Sequence, residues 1–452
     1  MSDTERSAAL SAAIGRTWTD ETAWQFLTDL TAIGNRMGGS EGERTAAERV
    51  GAAFEDAGLD GVSTDSFEMD EWQRGSSELE LRGSTDRSGR SFESIALPYS
   101  PSGAETAPFV DAGYGTPAEI DELDVEDRIV VASTTTPEGG RFIHRMEKFG
   151  YAIESGAVGF VFVNHTPGQL PPTGALKFGQ EAAAIAVGVS KETGTWLREY
   201  AENTAGPSAE LSVSVEAETV AGESQNVVGR LGPKTDEELL LVAHYDAHDI
   251  AEGALDNGCG IATVLAAVRI LAAAEDKLTR GVRVVAVGCE EIGLLGAEHL
   301  AATIDHERVH GVLNVDGAGR FRDLVALAHG SATVVDVAES IATETNQPIR
   351  TELEPHPFSD QWPFVRAGIP ALQLHSDSDD RGRGWGHTHA DTRDKVDDRN
   401  IREHGILTAL LALELADREL PRLEVDELAD RFREADFEPG MRAADLWPDD
   451  WE

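Results

Sequence analysis

Beyond Asn226 the spacing of apolar residues switches repeatedly between two periods. ELLLVAHYD (238–246) and GVRVVAVG (281–288) are short continuous apolar runs, the signature of strands buried on both faces. Between them, NGCGIATVLAAVRILAAAE (257–275) carries its apolar side chains at helical spacing over about five turns. GAEHLAATI (296–304) reads as a further helix and VHGVLNVD (309–316) as a further strand. Strand, helix, strand in this order predicts a mostly parallel sheet with helices on its faces.

The N-terminal part has the helical period without the strands. ETAWQFLTDL and AAERVGAAFEDAGL predict two amphipathic helices around the glycine-rich turn GNRMGGSEG, with Gly58 as the stop of the second. Residues 78–95 alternate as strands do. From about 96 to 222 short β runs such as IVVAST, GFVFVN and AIAVGVS stand between loops rich in glycine, proline and acids. The expected organisation is an α/β domain over 1–95 and 223–420, interrupted by a β-rich insert over 96–222. Residues 421–452 are less periodic and acidic, and read as a surface tail.

Charge changes the picture of where such a protein works. The chain has 452 residues and a formal net charge of −44, and only six lysines among its 38 basic residues. So acidic a surface argues against nucleic acid and against an anionic membrane as partners. It resembles the proteins of salt-loving archaea. At molar salt the screening length is about 3 Å, which removes most of the self-repulsion. The first eighteen residues show neither a basic nor an apolar segment of a signal peptide, and no apolar run is expected to reach membrane-spanning length. Two cysteines, Cys259 and Cys289, are too few for a disulfide framework. These features lead to the expectation of a soluble cytoplasmic protein.

Candidate chemistry gathers where the predicted strands end, which in open α/β sheets is where ligands bind. His244 and Asp246 close the first strand, and Asp256 precedes the long helix. Glu290 and Glu291 follow the second strand, Asp316 ends the third, and His387, His389 and Asp391 lie in a glycine-rich loop. Taken singly, each is more ordinary as a turn, a helix cap or a solvated group. Their succession at consecutive element ends is what carries the signal.

Imidazoles and carboxylates without thiolates suit zinc, with cobalt or manganese as substitutes. The set is too large for one tetrahedral ion and about right for two. Asp256 is the candidate shared ligand, with His244 and Asp316 completing one ion and Glu291 and His387 the other. Glu290 is then left as the base that takes a proton from the attacking water and passes it to the leaving amine. Asp246 would hold the other nitrogen of His244.

HYDAHD, ALDNGCG, CEEIGLLGAEH, NVDGAG and GHTHADT, in this order, resemble the co-catalytic zinc exopeptidases of metallopeptidase family twenty-eight, which include leucine-type aminopeptidases and glutamate carboxypeptidases. The resemblance covers roughly residues 25 to 415. It implies a phosphorylase/hydrolase-like central mixed sheet with helices on both faces and the same five ligands, base and supporting aspartate. It also implies that the insert, through GTPAEIDELDVEDRIVVAS and GAVGFVFVN, is a protease-associated domain. Two departures stand out. Gln361 occupies a position where the family often has histidine, taken as a substrate-side change, and His389 and His248 are spare imidazoles near the expected ligands. Both cysteines are expected to be small buried packing residues.

The implied activity is removal of terminal residues from peptides, with an aminopeptidase expected first. A carboxypeptidase or dipeptidase would need a basic grip on a free carboxylate, for which Arg381 and Arg383 are the candidates. The DSDD stretch of the same loop would instead suit an ammonium. A binding protein that keeps the fold without working metals, or a non-peptidase amide hydrolase, are the other readings.

Overall fold

A computed structural model describes residues 3–82, 89–202, 209–377 and 384–451. The chain forms two compact units. The first comprises residues 1–69, 223–386 and 391–430, and the second residues 70–222, 387–390 and 431–452. The chain leaves the first unit within the strand Asp60–Arg82 and returns to it within the strand Glu210–Leu231.

In the first unit a mixed sheet has Glu238–His244 at its centre. That strand runs parallel to Gly281–Val287 on one side and to Val309–Val315 on the other. Val309–Val315 pairs in parallel with Ala371–Asp377, and Asp323–Leu327 is antiparallel to the latter. The last part of Glu210–Leu231 closes the other side, antiparallel to Gly281–Val287. The expected alternation is therefore present, with the carboxyl ends of three neighbouring parallel strands at one edge.

The expected long helix spans Cys259–Ala273, and it is buried almost all round. It packs with Asp398–Asp417, and around it lie Leu27, Leu30, Val50 and Phe54 from the N-terminal helices. Each such side chain contributes about 1.5–3 kcal/mol by leaving water. One expectation is corrected here: Ala254–Ala273 does reach the length and hydropathy of a membrane span. It is the core helix instead, with 94% of that window buried.

Of the N-terminal helices, Glu41–Ala57 starts at Ser40, whose side chain accepts the N–H of Glu43, and stops at Gly58 with φ +92° as the pattern predicts. A further helix, Asp3–Thr17, precedes the two expected.

The second unit has its own parallel sheet, Gly103–Asp111, Ile129–Ser133, Gly159–Val163 and Ile185–Val189. Val130, Phe149, Phe160 and Phe162 form its core, with Phe160 and Phe162 stacked at 4.3 Å. The acidic C-terminus differs from expectation. Val425–Glu434 and Glu438–Ala443 are helices, and Met441, Trp447 and Trp451 are buried. Gly150 and Gly440 allow the close approach: a Cβ on either would stand 2.1–2.2 Å from Ala443 O or Glu147 Oε2. Two tryptophans and a methionine outweigh the surrounding charge, so the segment docks on its own unit.

Candidate metal centre

The edge of the first sheet carries the predicted residues. His244 ends the central strand, fully buried, and Asp316 follows the neighbouring strand. Asp256 lies in the turn before the core helix with non-helical dihedrals (φ −128°, ψ 95°), and no side-chain cap forms at that helix, so it is not the helix cap it could have been. One ligand atom each from His244, Asp256 and Asp316 lies within 4.8 Å of the others.

Around His244 the geometry is ordered by nitrogen. Nδ1 stands 3.3 Å from Asp246 Oδ1. Nε2 faces Asp256 Oδ1 at 3.6 Å, Asp316 Oδ1 at 3.8 Å and Glu290 Oε2 at 3.9 Å. Burial disfavours a charged ring, yet Glu290 and the facing Asp246, Asp256 and Asp316 raise its proton affinity well above the usual imidazole range. A bound cation at Nε2 would take that proton's place, with Nδ1–H kept on Asp246. An imidazole and two carboxylates converging this way fit a divalent cation with nitrogen and oxygen preference.

The paired glutamates diverge as their roles require. Cys289 adopts φ +55° between the strand and the pair, and Asp246 accepts both following backbone N–H groups, Glu290 at 3.1 Å and Glu291 at 3.2 Å. Glu290 then faces His244, and Glu291 stands 3.0 Å from His248 Nε2. Burial pushes the Glu290 carboxyl well above the ordinary range; the His244 charge opposes this, and Glu291 and Asp316 add to it.

His387 belongs to the second unit by its contacts and is 7% exposed, whereas His389 is exposed. Thr173 N–H donates to the His387 carbonyl at 2.9 Å, and His387 Nδ1 donates to Thr173 O at 3.2 Å. That tautomer leaves the Nε2 lone pair for a ligand. The two buried cysteines are free, as expected of packing residues. Arg381, Arg383 and the DSDD stretch beyond Asp377 lie outside the described residues.

Asp391, a candidate from the sequence, and several residues that the sequence did not mark support the site. Arg320 Nη2 pairs with Asp256 Oδ1 at 3.1 Å, and Asp391 accepts the N–H groups of Leu255 and Asp256 at 2.6 and 3.1 Å. Arg36 ties the loop after His244, donating to the carbonyls of Tyr245, Glu252 and Gly253. Glu43 accepts the N–H groups of Gly39 and Cys289 and the hydroxyl of Ser224. Asp360 is fully buried, and neither carboxylate oxygen finds a hydrogen-bond partner among the described residues. Arg36, Arg320, Asp360 and Asp391 sit in loops or turns without periodicity, and Glu43 lies in the first turn of the helix Glu41–Ala57, so no local pattern marks their supporting roles.

Gln361, read from the sequence as a substrate-side change, takes part in a buried hydrogen-bond network beside Asp316. It is fully buried and accepts from Asn314 Nδ2, which also donates to Ser359 Oγ, both at 2.8 Å. Ser359 donates in turn to Asp316 Oδ2 at 2.7 Å. The residue props the Asp316 carboxylate from below.

Asp246, Asp256, Glu290, Glu291, Asp316 and Asp360 place six carboxylates in this region, and the buried guanidiniums of Arg36 and Arg320 offset only part of that charge. Bound divalent cations are the ordinary solution to such an excess.

Comparison with known proteins agrees with this geometry. Residues 226–412 match the model of Peptidase family M28, and residues 101–197 match that of the PA domain. The chain is 25% identical over 423 residues to the aminopeptidase YwaD of Bacillus subtilis, covering 88% of this chain and 85% of that protein. Its fold is similar to a Peptidase M28 precursor from Shewanella amazonensis (TM-score 0.76, 22% identity, 94% and 100% of the two chains). It is also similar in fold to BSAP, a zinc aminopeptidase from Bacillus subtilis (TM-score 0.64, 24% identity, 86% and 93%). The chain thus carries a Peptidase family M28 domain over residues 226–412 and a PA domain over residues 101–197.

Proposed function

We propose that this peptidase is a two-ion zinc aminopeptidase that works at high salt. The observation that carries the reading is the His244 imidazole, held by Asp246 at Nδ1 and facing Asp256, Asp316 and Glu290 at Nε2. His244, Asp256 and Asp316 would hold one ion, and Glu291, His387 and the shared Asp256 the other. Bound zinc would supply Lewis acidity toward the scissile carbonyl and the attacking water. Glu290 takes the proton of that water and delivers it to the departing amine, and its Oε2 stands 3.9 Å from His244 Nε2, beside the metal position. Asp246 fixes the His244 ring and the backbone that carries Glu290.

The N-terminal end of the substrate is favoured as the recognised end for two reasons. The site is rich in carboxylates that attract an α-ammonium, and YwaD, matched over 85% of its length, is named an aminopeptidase. A set of dipeptides, free, N-blocked and C-blocked, assayed in molar salt with and without chelator, tests the reading. Chelator-sensitive cleavage that fails only for the N-blocked peptides is expected. Failure only for the C-blocked peptides would replace it with a carboxypeptidase.

A further inference from the structure

His248 stands outside the five ligands, yet its position is as closely built as theirs. Its side chain is buried, and Nε2 lies 3.0 Å from Oε2 of Glu291, itself buried. Two ligand atoms, each about 2.1 Å from one tetrahedral zinc, stand about 3.4 Å apart, so this nitrogen and oxygen are already near the spacing of atoms that share an ion.

The loop that carries His248 is fastened on both sides of it. Arg36 donates from Nε to Tyr245 O at 3.2 Å, from Nη1 to Glu252 O at 2.7 Å and from Nη2 to Gly253 O at 3.1 Å, while its own carbonyl accepts Ala247 N–H at 3.2 Å. Gly253, at φ +57°, closes the loop where a Cβ would stand 2.2 Å from that of Ala247. Asp246, two residues earlier, accepts Glu291 N–H, so the backbones bearing His248 and Glu291 are braced by the same carboxylate. A buried guanidinium spent on holding a loop of nine residues makes sense if a side chain on that loop must be placed to within a fraction of an ångström.

We infer that His248 is a further metal ligand, binding through Nε2 the ion that Glu291 holds. The inference rests on the metallopeptidase reading, and it raises the number of coordinated imidazoles from two, His244 and His387, to three. The ion at Glu291 then has one more neutral nitrogen donor than the one at Asp316. The two ions therefore differ in ligand field, and the Glu291 ion is the one whose retention depends on His248.

The whole protein, stripped of metal and reloaded with cobalt(II) in molar salt, provides the test. In ordinary water each coordinated imidazole gives one exchangeable ring N–H proton that is strongly shifted in the proton NMR spectrum by the paramagnetic ion. Three such signals in the unmodified protein, and two in His248→Ala with the same overall fold, are expected. In parallel, a chromophoric chelator should remove one equivalent of zinc from His248→Ala at least tenfold more easily than from the unmodified protein, and leave the other equivalent unaffected. Two shifted signals in the unmodified protein would overturn the inference while leaving the two-ion reading intact. They would make the 3.0 Å contact a hydrogen bond between His248 and a ligand. Failure of the unmodified protein to retain cobalt or zinc would overturn both.

Discussion

Asp246 Oδ1 accepts the backbone N–H of Glu290 at 3.1 Å while lying 3.3 Å from Nδ1 of His244. One carboxylate thus sets the ring that faces the metal position and the peptide that carries the base. Asp246→Asn would keep the shape but present an N–H to one of those donors. A loss of turnover of one to two orders of magnitude, with a weaker hold on zinc, is expected from such a supporting partner. Steady-state kinetics with metal analysis on the same sample reads both.

Glu290→Gln separates base from ligand. Removing a general base costs roughly 10²- to 10⁴-fold in rate, while the metal positions keep their donors. The variant should bind its full complement of zinc by elemental analysis. Retained turnover would remove Glu290 from the role.

For Glu291→Ala the sign reverses, with zinc content the quantity to watch. Loss of this carboxylate should lower the metal bound per chain by about one equivalent under chelator challenge. Unchanged loading would exclude it as a ligand.

Glu43 is buried beneath Cys289, and burial, with the Asp246 charge, pushes its carboxyl up to about 8. It therefore carries a proton at pH 7, and Glu43→Gln exchanges one neutral group for another of the same shape. Glu43→Ala strands the N–H groups of Gly39 and Cys289 and the Ser224 hydroxyl without an acceptor, at about 1–3 kcal/mol for each buried group left unpaired. Denaturant titration should rank the alanine variant well below the glutamine variant. Equal stabilities would dismiss the buried carboxyl as a brace.

His404 offers a pH signature. It accepts Gly319 N–H at Nδ1 (2.7 Å) and donates from Nε2 to Arg322 O (3.0 Å), so its neutral form fills the site and burial lowers its pKa from 6.5 to about 4. Because the unfolded chain takes up the proton first, its contribution is complete above pH 6.5 and is lost as pH falls toward 4. The loss is on the order of 3 kcal/mol. His404→Gln, which can make both hydrogen bonds without titrating, should show a shallower fall in stability between pH 6.5 and 4. Identical slopes would count against His404 as a source of acid sensitivity.

With 82 acidic against 38 basic residues, the melting temperature should rise from 0.1 M to 3 M potassium chloride as repulsion is screened. A flat response would show that the surface charge is not under self-repulsion.

Periodicity and turn chemistry are local properties, and they were enough to locate Glu238–His244, Gly281–Val287, Val309–Val315 and the helix Cys259–Ala273. They also marked the stop at Gly58, because an apolar face and a left-handed cap act within a few residues of themselves. The order of the acidic motifs at strand ends was legible for the same reason, since a parallel sheet brings successive carboxyl ends to one edge. The residues that brace the site are set by contacts between positions 40 to 250 apart in the chain: Arg36 on the Tyr245–Gly253 loop, Glu43 on Cys289, Asp391 on Leu255, Gln361 through Asn314 and Ser359 to Asp316. No window of sequence contains both partners of such a contact. The burial of the C-terminal tryptophans has the same origin. Whether an apolar side chain in an acidic segment meets water or a matching surface depends on which surface the completed fold brings to it.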